Sequence, residues 1–511
     1  MKLLRLAAGL LALVSIVSAF GAQTLLEKVR AYRVAHEREL MDEYREFVAI
    51  PNTSVDRANI RRNADYLVAM LKKRGVDARL LTVKAPNSNP YVFGEVKVPG
   101  ATRTILLYAH FDGMPVNPAQ WAPGWEPFTP KFVTDSLERG GKIVEGWKSG
   151  DPINPSWRLT GRGAGDDKAG AFAILNAYAA LQAAGATPTA NLKFFFEGEE
   201  EISSLHLGDL LDEHHDEMGA DLWIIADGPC HVSGKKLVAL GVRGDVNVNL
   251  TVFAAKRPLH SGNYGNWAPN PAGMLVNLLA SMKDDDGHVL IKGFYDDVTP
   301  LTEREKRALA AVPSPDAQLA RELGLARPEQ AGRSLLEGLM LPSLNINGIV
   351  SANVGPLAAN IIPTTARATL DLRLVLGNDE HRQVAKLVAH IASRGWQVID
   401  HDPTDAEREQ FTRLIRVEPK PGYNAQRTPL DLPLAQAVVS AVQSTVDYPV
   451  VQMVSQGGSL PLIVIEQKMG AKVLAVAVSN ADNNQHAENE NVQVQFLWNG
   501  IETYAALMTM R

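Results

Sequence analysis

Hydrophobic and polar positions follow one pattern over the first half of the chain. From residue 25 to about 240, short apolar runs typical of strands alternate with stretches whose apolar residues recur every three or four positions, as in helices. Strands are predicted at 78–83, 91–96, 104–109, 191–196 and 222–226, and helices at 25–48, 58–74 and 168–184. Continuous apolar strands that alternate with helices predict an α/β domain with a mostly parallel central sheet.

A second pattern begins near residue 241. Apolar residues occupy every second position from Val246 to Val252, which predicts a strand with one buried face. Further strands are predicted at 344–350, 366–375 and 397–400, and helices at 271–282 and 380–393. This order is typical of a small α+β sandwich, here interrupted by a charged insertion at 284–340.

The first pattern returns near the C-terminus, with a helix at 433–445, a strand at 472–478 and a helix near 494–510. We therefore predict that 23–240 and 419–511 form one α/β domain and that 241–418 is an α+β domain inserted into it.

Composition and charge narrow the function classes. The 511 residues are 46% hydrophobic and 21% charged, which is ordinary for a soluble globular protein. The net charge of −6 gives no basic footprint, so we expect no nucleic-acid partner. Cys230 is the single cysteine of the sequence, which excludes an intrachain disulfide and a thiolate metal cluster.

Residues 1–22 have the three parts of a secretory signal peptide. Lys2 and Arg5 precede an uncharged apolar run from Leu6 to Val17, and small residues follow. The run is shorter than the roughly 20 residues of a membrane span, although an uncleaved anchor helix is the alternative. We predict cleavage between Ala19 and Ala22, a secreted or periplasmic protein, and no stable membrane anchor after cleavage.

Ionisable residues follow the ends of several predicted strands of the α/β domain. They are His110 and Asp112 after 104–109, Glu200 and Glu201 after 191–196, Asp227 after 222–226, and His486 after 472–478. Asp166 lies in a glycine-rich segment that opens a helix. Because ligands bind outside the carboxyl ends of strands in open α/β sheets, we expect these side chains to converge.

Such a cluster predicts a metal site. Carboxylates held together raise each other's pKa unless a cation neutralises them, and mixed histidine and carboxylate ligands suit zinc or a similar divalent ion. A shared carboxylate can hold two metals about 3.5–4 Å apart. The two-residue spacing lets Asp112 accept the second ring N–H of His110. In the Glu200-Glu201 doublet, one carboxylate can bind metal while the other stays free as a base.

These residues form six ordered motifs that resemble those of the co-catalytic zinc peptidases, a family that includes carnosinase, glutamate carboxypeptidase and succinyl-diaminopimelate desuccinylase. The motifs are His110-x-Asp112, Gly-Arg-Gly-x-x-Asp166-Asp167-Lys168, Glu197-Gly-x-Glu200-Glu201, Asp227, His260-Ser-Gly and His486. The resemblance runs from about residue 40 to the C-terminus. Ala169 departs from the usual glycine, and the segments 133–156 and 284–340 look longer than in short members.

The resemblance implies a role for each ligand. Asp166 would bridge two metal ions, with His110 and Asp227 completing one site and Glu201 and His486 completing the other. We expect two zinc ions, with manganese or cobalt as alternatives that the same ligands accept. The resemblance also implies a cis peptide between Asp166 and Asp167.

The resemblance implies the remaining roles as well. Glu200 would be the general base, which takes a proton from the attacking water and returns it to the leaving amine. His260 would reach the partner subunit's site and stabilise the oxyanion, which implies a homodimer and a lid and dimerisation role for the inserted domain. Arg373, Gly458 and Ser459 match the positions that bind the substrate carboxylate.

The function that follows is an exported dinuclear zinc peptidase that hydrolyses dipeptides or short peptides. In the family, an aspartate at the position of Asp227 tends to accompany dipeptidases and aminopeptidases, and a glutamate tends to accompany deacylases and carboxypeptidases. An N-acyl amino-acid hydrolase with the same site is one alternative. A non-catalytic peptide-binding relative is another, against which Glu200 argues, because a binding protein needs no free base beside its metal ligands.

Overall fold

The computed structural model describes residues 24–148 and 151–511. The predicted signal peptide at 1–22 lies outside the described residues. Among the residues described, no helix combines the length and the apolar character that a membrane span requires.

The α-helices of the described residues include each of the seven predicted ones, to within a few positions, and eight further ones, three of them in the charged insertion. They are α1 (Leu25–Ala49), α2 (Arg57–Lys73), α3 (Lys168–Ala183), α4 (Leu207–Glu213), α5 (His215–Met218), α6 (Ser261–Tyr264), α7 (Pro271–Ala280), α8 (Glu303–Ala311), α9 (Asp316–Glu322), α10 (Leu335–Leu339), α11 (Glu380–Ser393), α12 (Asp405–Gln410), α13 (Pro433–Gln443), α14 (Leu462–Met469) and α15 (Val494–Met508).

The strands include all the predicted ones and several short ones that the apolar pattern does not reveal. They are β1 (Asp77–Leu81), β2 (Tyr91–Val96), β3 (Thr104–His110), β4 (Phe132–Val133), β5 (Arg158–Thr160), β6 (Asn191–Glu197), β7 (Leu222–Ile225), β8 (Leu237–Ala239), β9 (Gly241–Phe253), β10 (Leu259–His260), β11 (Ser343–Val350), β12 (Ile361–Ile362), β13 (Thr365–Leu374), β14 (Gln397–Ile399), β15 (Leu414–Pro419), β16 (Gln426–Arg427), β17 (Val451–Met453), β18 (Gln456–Ser459), β19 (Lys472–Ala475) and β20 (Asn491–Gln493).

The larger sheet has the strand order β1-β2-β6-β3-β7-β19-β8-β17. Its centre, β6-β3-β7-β19, is parallel, whereas β1 and β2 are antiparallel to their neighbours, so the sheet is mixed with a parallel centre. Both faces are buried. Leu107 of β3 belongs to one core with α1, α3 and α15, while Leu106 belongs to a second core on the other face with α4 and α14. The predicted α/β fold class is confirmed.

The buried N-terminus of α3 fixes the position of the segment that carries Asp166. The Asp167 side chain caps α3 by accepting the Gly170 N–H at 3.0 Å. Lys168 is fully buried and donates to the backbone carbonyls of Phe47 and Ile50 at 2.7 and 2.9 Å, near the end of α1. These bonds satisfy carbonyl groups that a helix end leaves without partners, and they join the ends of two core helices.

The second sheet has the order β11-β13-β9-β15-β14. Its buried face carries Val248 and Leu250 of β9, which pack with residues of α7 and α11, as the alternation predicts. The strand predicted at 397–400 is present as β14, but it is not the last strand of this sheet as expected, because β15 follows it and pairs with both β14 and β9. Strands of the larger sheet come from before residue 240 and after 450, and the five strands in the order of the second sheet come from 241–419. Two short strands outside that range, β16 and β18, also pair with β9. This membership supports the domain bounds 23–240, 241–418 and 419–511, which stay a prediction.

Candidate active site

The predicted metal ligands lie at the carboxyl edge of the parallel strands. His110 is the last residue of β3, which lies between β6 and β7 in the sheet. Glu200 and Glu201 form a turn soon after β6, and Asp227 follows β7. His486 lies in the loop between β19 and β20. Convergence at this edge is what the fold class predicts.

These side chains form two adjacent groups. The ligand atoms of His110, Asp167 and Asp227 all lie within 4.8 Å of one another, and so do those of Asp166, Glu201 and His486. Asp166 connects the groups, because one of its carboxylate oxygens lies 3.0 Å from His110 Nε2 and the other 3.2 Å from His486 Nε2. The structure therefore brings all five predicted ligands together.

Asp166 and Asp167 differ in what occupies their oxygens. Both carboxylate oxygens of Asp167 accept backbone N–H groups, from Gly170 at 3.0 Å and from His110 at 3.3 Å. Asp166 presents both of its oxygens to histidine ring nitrogens. Asp166 is therefore better placed than Asp167 to contact two metal ions, and the hydrogen bonds of Asp167 fix the backbone next to it at the start of α3. The peptide between them is cis, as the resemblance implies.

Asp112 fixes the geometry around His110. Its carboxylate lies 3.4 Å from His110 Nδ1 and accepts the backbone N–H groups of Glu200 and Glu201 at 3.2 and 3.1 Å. The Ser54 hydroxyl donates to it at 2.8 Å. Asp112 thus holds the ring of His110 and the turn with both glutamates in one arrangement, so that the two carboxylates face different directions.

The charge balance of the cluster fits divalent cations. Burial, together with the charge of Asp166, raises the pKa of Asp227 to about 7. Hydrogen bonds to Asp166 and Glu201 raise the pKa of His486 to about 11. Without a cation, the protonated ring therefore supplies the positive charge beside these carboxylates. A bound cation would supply that positive charge instead and leave the imidazole free as a ligand. The donor set of two histidines and several carboxylates suits zinc, manganese or cobalt.

Glu200 belongs to neither group of ligands. Its carboxylate lies 4.0 Å from His110 Nε2 and lines the cleft that opens beside the cluster. Burial and the neighbouring carboxylates raise its pKa well above the usual value, with His110 opposing the shift. A carboxylate of raised pKa at the edge of a metal cluster has the properties of a general base.

The predicted substrate-binding residues line the same cleft, which has a volume of about 1290 Å³. Arg373 projects from β13 and donates to the Ser459 hydroxyl at 2.8 Å and to Asp371 at 3.1 Å. Gly458 lies beside Ser459 in β18 and also lines the cleft. Because Asp371 and Ser459 hold the guanidinium, it is fixed at the cleft wall and can bind a carboxylate.

His260 is not brought to this cleft within its own chain. It is exposed at the end of β10, and its Nδ1 accepts the Gly262 N–H at 3.1 Å. It is absent from the described residues that line the cleft. Its role in the partner subunit's site stays a prediction.

Sequence reasoning missed Glu490, which is fully buried beside the ligands. One of its carboxylate oxygens accepts the backbone N–H groups of Gly165 and Asp166 at 2.9 and 3.1 Å. The other accepts the Gly163 N–H at 3.0 Å and the Arg162 guanidinium at 2.7 Å. Glu490 therefore holds the glycine-rich segment that carries Asp166. Its position four residues after His486 was the signal that could have indicated it.

The fold and the site together define a class: a hydrolase with a dinuclear metal centre at the edge of a mixed α/β sheet. Residues 106–510 match the sequence profile of the peptidase family M20/M25/M40, and the chain belongs to this family. The predicted family resemblance is confirmed, and the protein is a metallopeptidase.

Relatives align along nearly the whole chain. The Beta-Ala-His dipeptidase of Homo sapiens is 27% identical over 531 aligned positions, which cover 98% of this chain and 96% of the relative. The Cys-Gly metallodipeptidase DUG1 of Candida albicans is 26% identical and covers 89% of this chain and 91% of the relative.

The fold is similar to solved structures of the family. An M20 family metallo-carboxypeptidase from Sulfolobus solfataricus has a TM-score of 0.75 at 25% identity, over 92% of this chain and 98% of that chain. Human carnosine dipeptidase 1 has a TM-score of 0.71 at 23% identity, over 94% and 98%. Both likenesses support the arrangement of two sheets described above.

Proposed function

We propose that this protein is an exported dipeptidase with two zinc ions, in which Glu200 is the general base. The position of Glu200 carries this proposal. It is a partly buried carboxylate that lines the cleft and belongs to neither group of ligands, 4.0 Å from His110 Nε2. The names of the relatives, a Beta-Ala-His dipeptidase and a Cys-Gly metallodipeptidase, support the choice of a dipeptide as substrate.

The ligand roles follow from the two groups. Asp166 would be the shared ligand, His110 and Asp227 would complete one site, and Glu201 and His486 would complete the other. Zinc ions bound there would act as Lewis acids on the scissile carbonyl and favour deprotonation of the attacking water. Metal analysis of the purified protein, followed by reconstitution with zinc, manganese or cobalt, tests which ion gives the highest turnover.

The chain's own residues would divide the remaining work. The Arg373 guanidinium and the Ser459 hydroxyl bind the substrate carboxylate and orient the peptide along the cleft. Glu200 takes a proton from the attacking water and delivers it to the amine that leaves. His260 of the partner subunit stabilises the oxyanion.

The homodimer is supported by the surface of the inserted domain. Strand β11 is an edge strand of the second sheet, and apolar side chains on and near it are exposed. Ile349, Val350, Val354 and Leu357 are 52, 61, 87 and 73% exposed. An exposed apolar edge strand pairs readily with another copy of itself. Light scattering of the purified protein should give twice the mass of the chain, and a monomer would contradict this part of the proposal.

Export is supported by the sequence of residues 1–22 alone. Expression of the full chain in a bacterium with a periplasm should yield a protein in the periplasmic or secreted fraction. N-terminal sequencing should place its first residue within or just after Ala19–Ala22. A cytosolic protein that retains Met1 would contradict export without affecting the proposed activity.

The activity is tested in one competition assay. Zinc-loaded protein receives an equimolar mixture of unblocked dipeptides and the matching N-acetyl amino acids, and released amino acids are measured by mass spectrometry. Preferential loss of the dipeptides is the expected result. Preferential deacylation would keep the metal chemistry but favour the N-acyl amino-acid hydrolase. No cleavage of either would favour a binding protein.

A further inference from the structure

The cleft beside the metal ligands has an apolar wall that comes from the charged insertion. Four residues of α9 and α10 and the residue just before α9 line the same cleft as Glu200 and Arg373. They are Pro315, Leu319, Leu335, Leu336 and Leu339. An insertion that is charged in composition thus presents apolar side chains to the active site.

Two buried contacts hold this insertion in place. Glu305 of α8 forms an ion pair with Arg427 at 3.0 Å, and both side chains are at least nine-tenths buried. Arg243 of β9 donates to the carbonyl of Leu341, two residues after α10, at 2.8 Å. Leu336 and Val312 also belong to the core beneath the larger sheet. The wall is therefore part of the packed structure, with a fixed position relative to the cleft.

A second apolar surface faces the cleft from the larger sheet's side. It is formed by Leu205, Leu207, Leu460, Pro461 and Val464, around α4 and the start of α14. Leu460 and Pro461 directly follow Ser459, so this surface continues from the predicted substrate-carboxylate loop.

The two surfaces meet at that loop. Leu339 packs so closely on Gly457 that a methyl group there would lie 3.1 Å from Leu339 Cδ2. Gly457 is two residues before Ser459, which contacts Arg373. The apolar space therefore adjoins the end of the cleft where the substrate carboxylate would bind.

We propose that this apolar space is the binding site for the side chain of the substrate's C-terminal residue, and that the enzyme prefers dipeptides ending in a bulky apolar residue. The inference rests on the proposed dipeptidase function and on carboxylate binding by Arg373. A residue whose carboxylate contacts Arg373 has its side chain within reach of the adjoining apolar surface. A leucine or phenylalanine side chain there is removed from water, whereas glycine leaves the space unfilled.

The test is a series of dipeptides with a constant N-terminal alanine: Ala-Gly, Ala-Ala, Ala-Leu, Ala-Phe and Ala-Asp. We expect kcat/KM for Ala-Leu and Ala-Phe to exceed that for Ala-Gly by about tenfold or more, since each methylene in an apolar pocket adds discrimination of this order. Equal values across the series would overturn the inference and leave the dipeptidase function intact. Cleavage of no dipeptide would instead overturn the proposed function itself.

Substitutions in α9 and α10 test whether the apolar wall from the insertion causes the preference for a bulky C-terminal residue. Leu319→Gln and Leu335→Gln should each lower the ratio of kcat/KM for Ala-Leu over Ala-Gly severalfold. Leu323→Gln is the matched control, because Leu323 lies one helical turn beyond Leu319, is 66% exposed and is absent from the described lining of the cleft. Leu335 is itself 47% exposed, so its substitution tests the wall even if Leu319→Gln unfolds the protein.

Two results would contradict this location. An unchanged ratio in Leu335→Gln, with a melting temperature equal to that of the unmodified enzyme, would show that the wall does not contact the side chain. A rate that rises with acyl length from N-acetyl-glycine to N-octanoyl-glycine, without a preference among the dipeptides, would assign the apolar space to the other side of the scissile bond.

Discussion

The Arg162 guanidinium and the Glu490 carboxylate form a buried ion pair at 2.7 Å, and 328 positions separate them in the chain. Arg162 also donates to the Ala487 carbonyl at 2.9 Å, directly after His486. Glu490 accepts the Asp166 backbone N–H. This ion pair joins the segment that carries Asp166, the proposed shared ligand, to the segment that carries His486, a proposed ligand of the second site. We therefore expect the positions of both side chains to depend on it.

Glu490→Gln tests this dependence. The substitution keeps the size of the side chain but leaves the buried Arg162 without its charged partner, which typically costs about 3–5 kcal/mol of stability. We expect a lower melting temperature and zinc affinity reduced about 10- to 100-fold. Metal content after dialysis against limiting zinc measures the second effect, and added zinc should restore part of the activity.

The control for this variant is Glu488→Gln, two residues away in the same loop at a half-buried position. It should keep both the metal and the melting temperature. A Glu490→Gln enzyme that retains zinc as well as Glu488→Gln does would show that the pair supports the fold and not the ligands.

The neighbouring glutamates provide the sharpest test of the assigned roles. Glu200→Gln removes the base and keeps the ligands, so kcat should fall by about 10²- to 10⁴-fold while two metal ions remain bound. Glu201→Gln removes a ligand that lies 3.2 Å from His486 Nε2, so metal content should fall with the activity. Metal analysis and steady-state kinetics on both variants separate the roles. Loss of metal in Glu200→Gln would mean that the base is misassigned.

The convergence of the candidate metal ligands could be predicted from the sequence because most of them follow strands with a clear apolar pattern. The run Thr104–His110 is almost wholly apolar up to His110, and its buried positions match that reading. Carboxyl ends of parallel strands share one edge, so residues that follow different strands meet there irrespective of their separation in the chain.

The parts that could not be predicted lack such a local signal. Strand β15 mixes apolar with charged residues, as at Arg416 and Glu418, and ends in a proline, so it resembles a loop in sequence. Glu490 lies in a polar loop, and its pairing with Arg162, 328 positions away, is visible only in the folded structure. Likewise, the apolar wall from Leu319 and Leu335 lies in a stretch of largely polar composition. Contacts made by irregular segments do not follow from periodicity.

A buried lysine away from the site gives a prediction about pH. Lys236 donates to the Thr445 hydroxyl at 2.7 Å and to the Asn499 carbonyl at 3.3 Å, and burial lowers its pKa from 10.5 to about 8. Between these two values the unfolded chain binds more protons than the folded one, so the contribution of this group to stability rises with pH.

Lys236→Met should remove that contribution. The stability of the unmodified protein relative to the variant should increase by about 2 kcal/mol between pH 7 and pH 9.5. Melting temperatures or denaturant midpoints of both proteins at several pH values measure it. Lys235→Met is the control, since Lys235 is half-buried beside the Tyr448 ring and should show no such trend. A constant difference between Lys236→Met and the unmodified protein would contradict the lowered pKa.

His260 gives the last prediction, because its place depends on the partner subunit. Its side chain is exposed and lies outside the described lining of its own cleft. If it serves the partner's site, then His260→Ala should lower kcat and leave the metal content unchanged. A mixed dimer of one Glu200→Gln subunit and one His260→Ala subunit would then contain one complete site, formed by Glu200 of the second subunit and His260 of the first.

Random reassociation of the two variants at equal concentration makes about half of the dimers mixed, and each mixed dimer has one intact site out of two. The mixture should therefore show about a quarter of the activity of the same amount of unmodified enzyme. Each variant mixed with itself is the control and should stay inactive. If His260 acts in its own subunit, no dimer in the mixture has an intact site, and activity stays at the level of the single variants. If His260→Ala loses metal, the residue is a ligand and the proposed geometry is wrong.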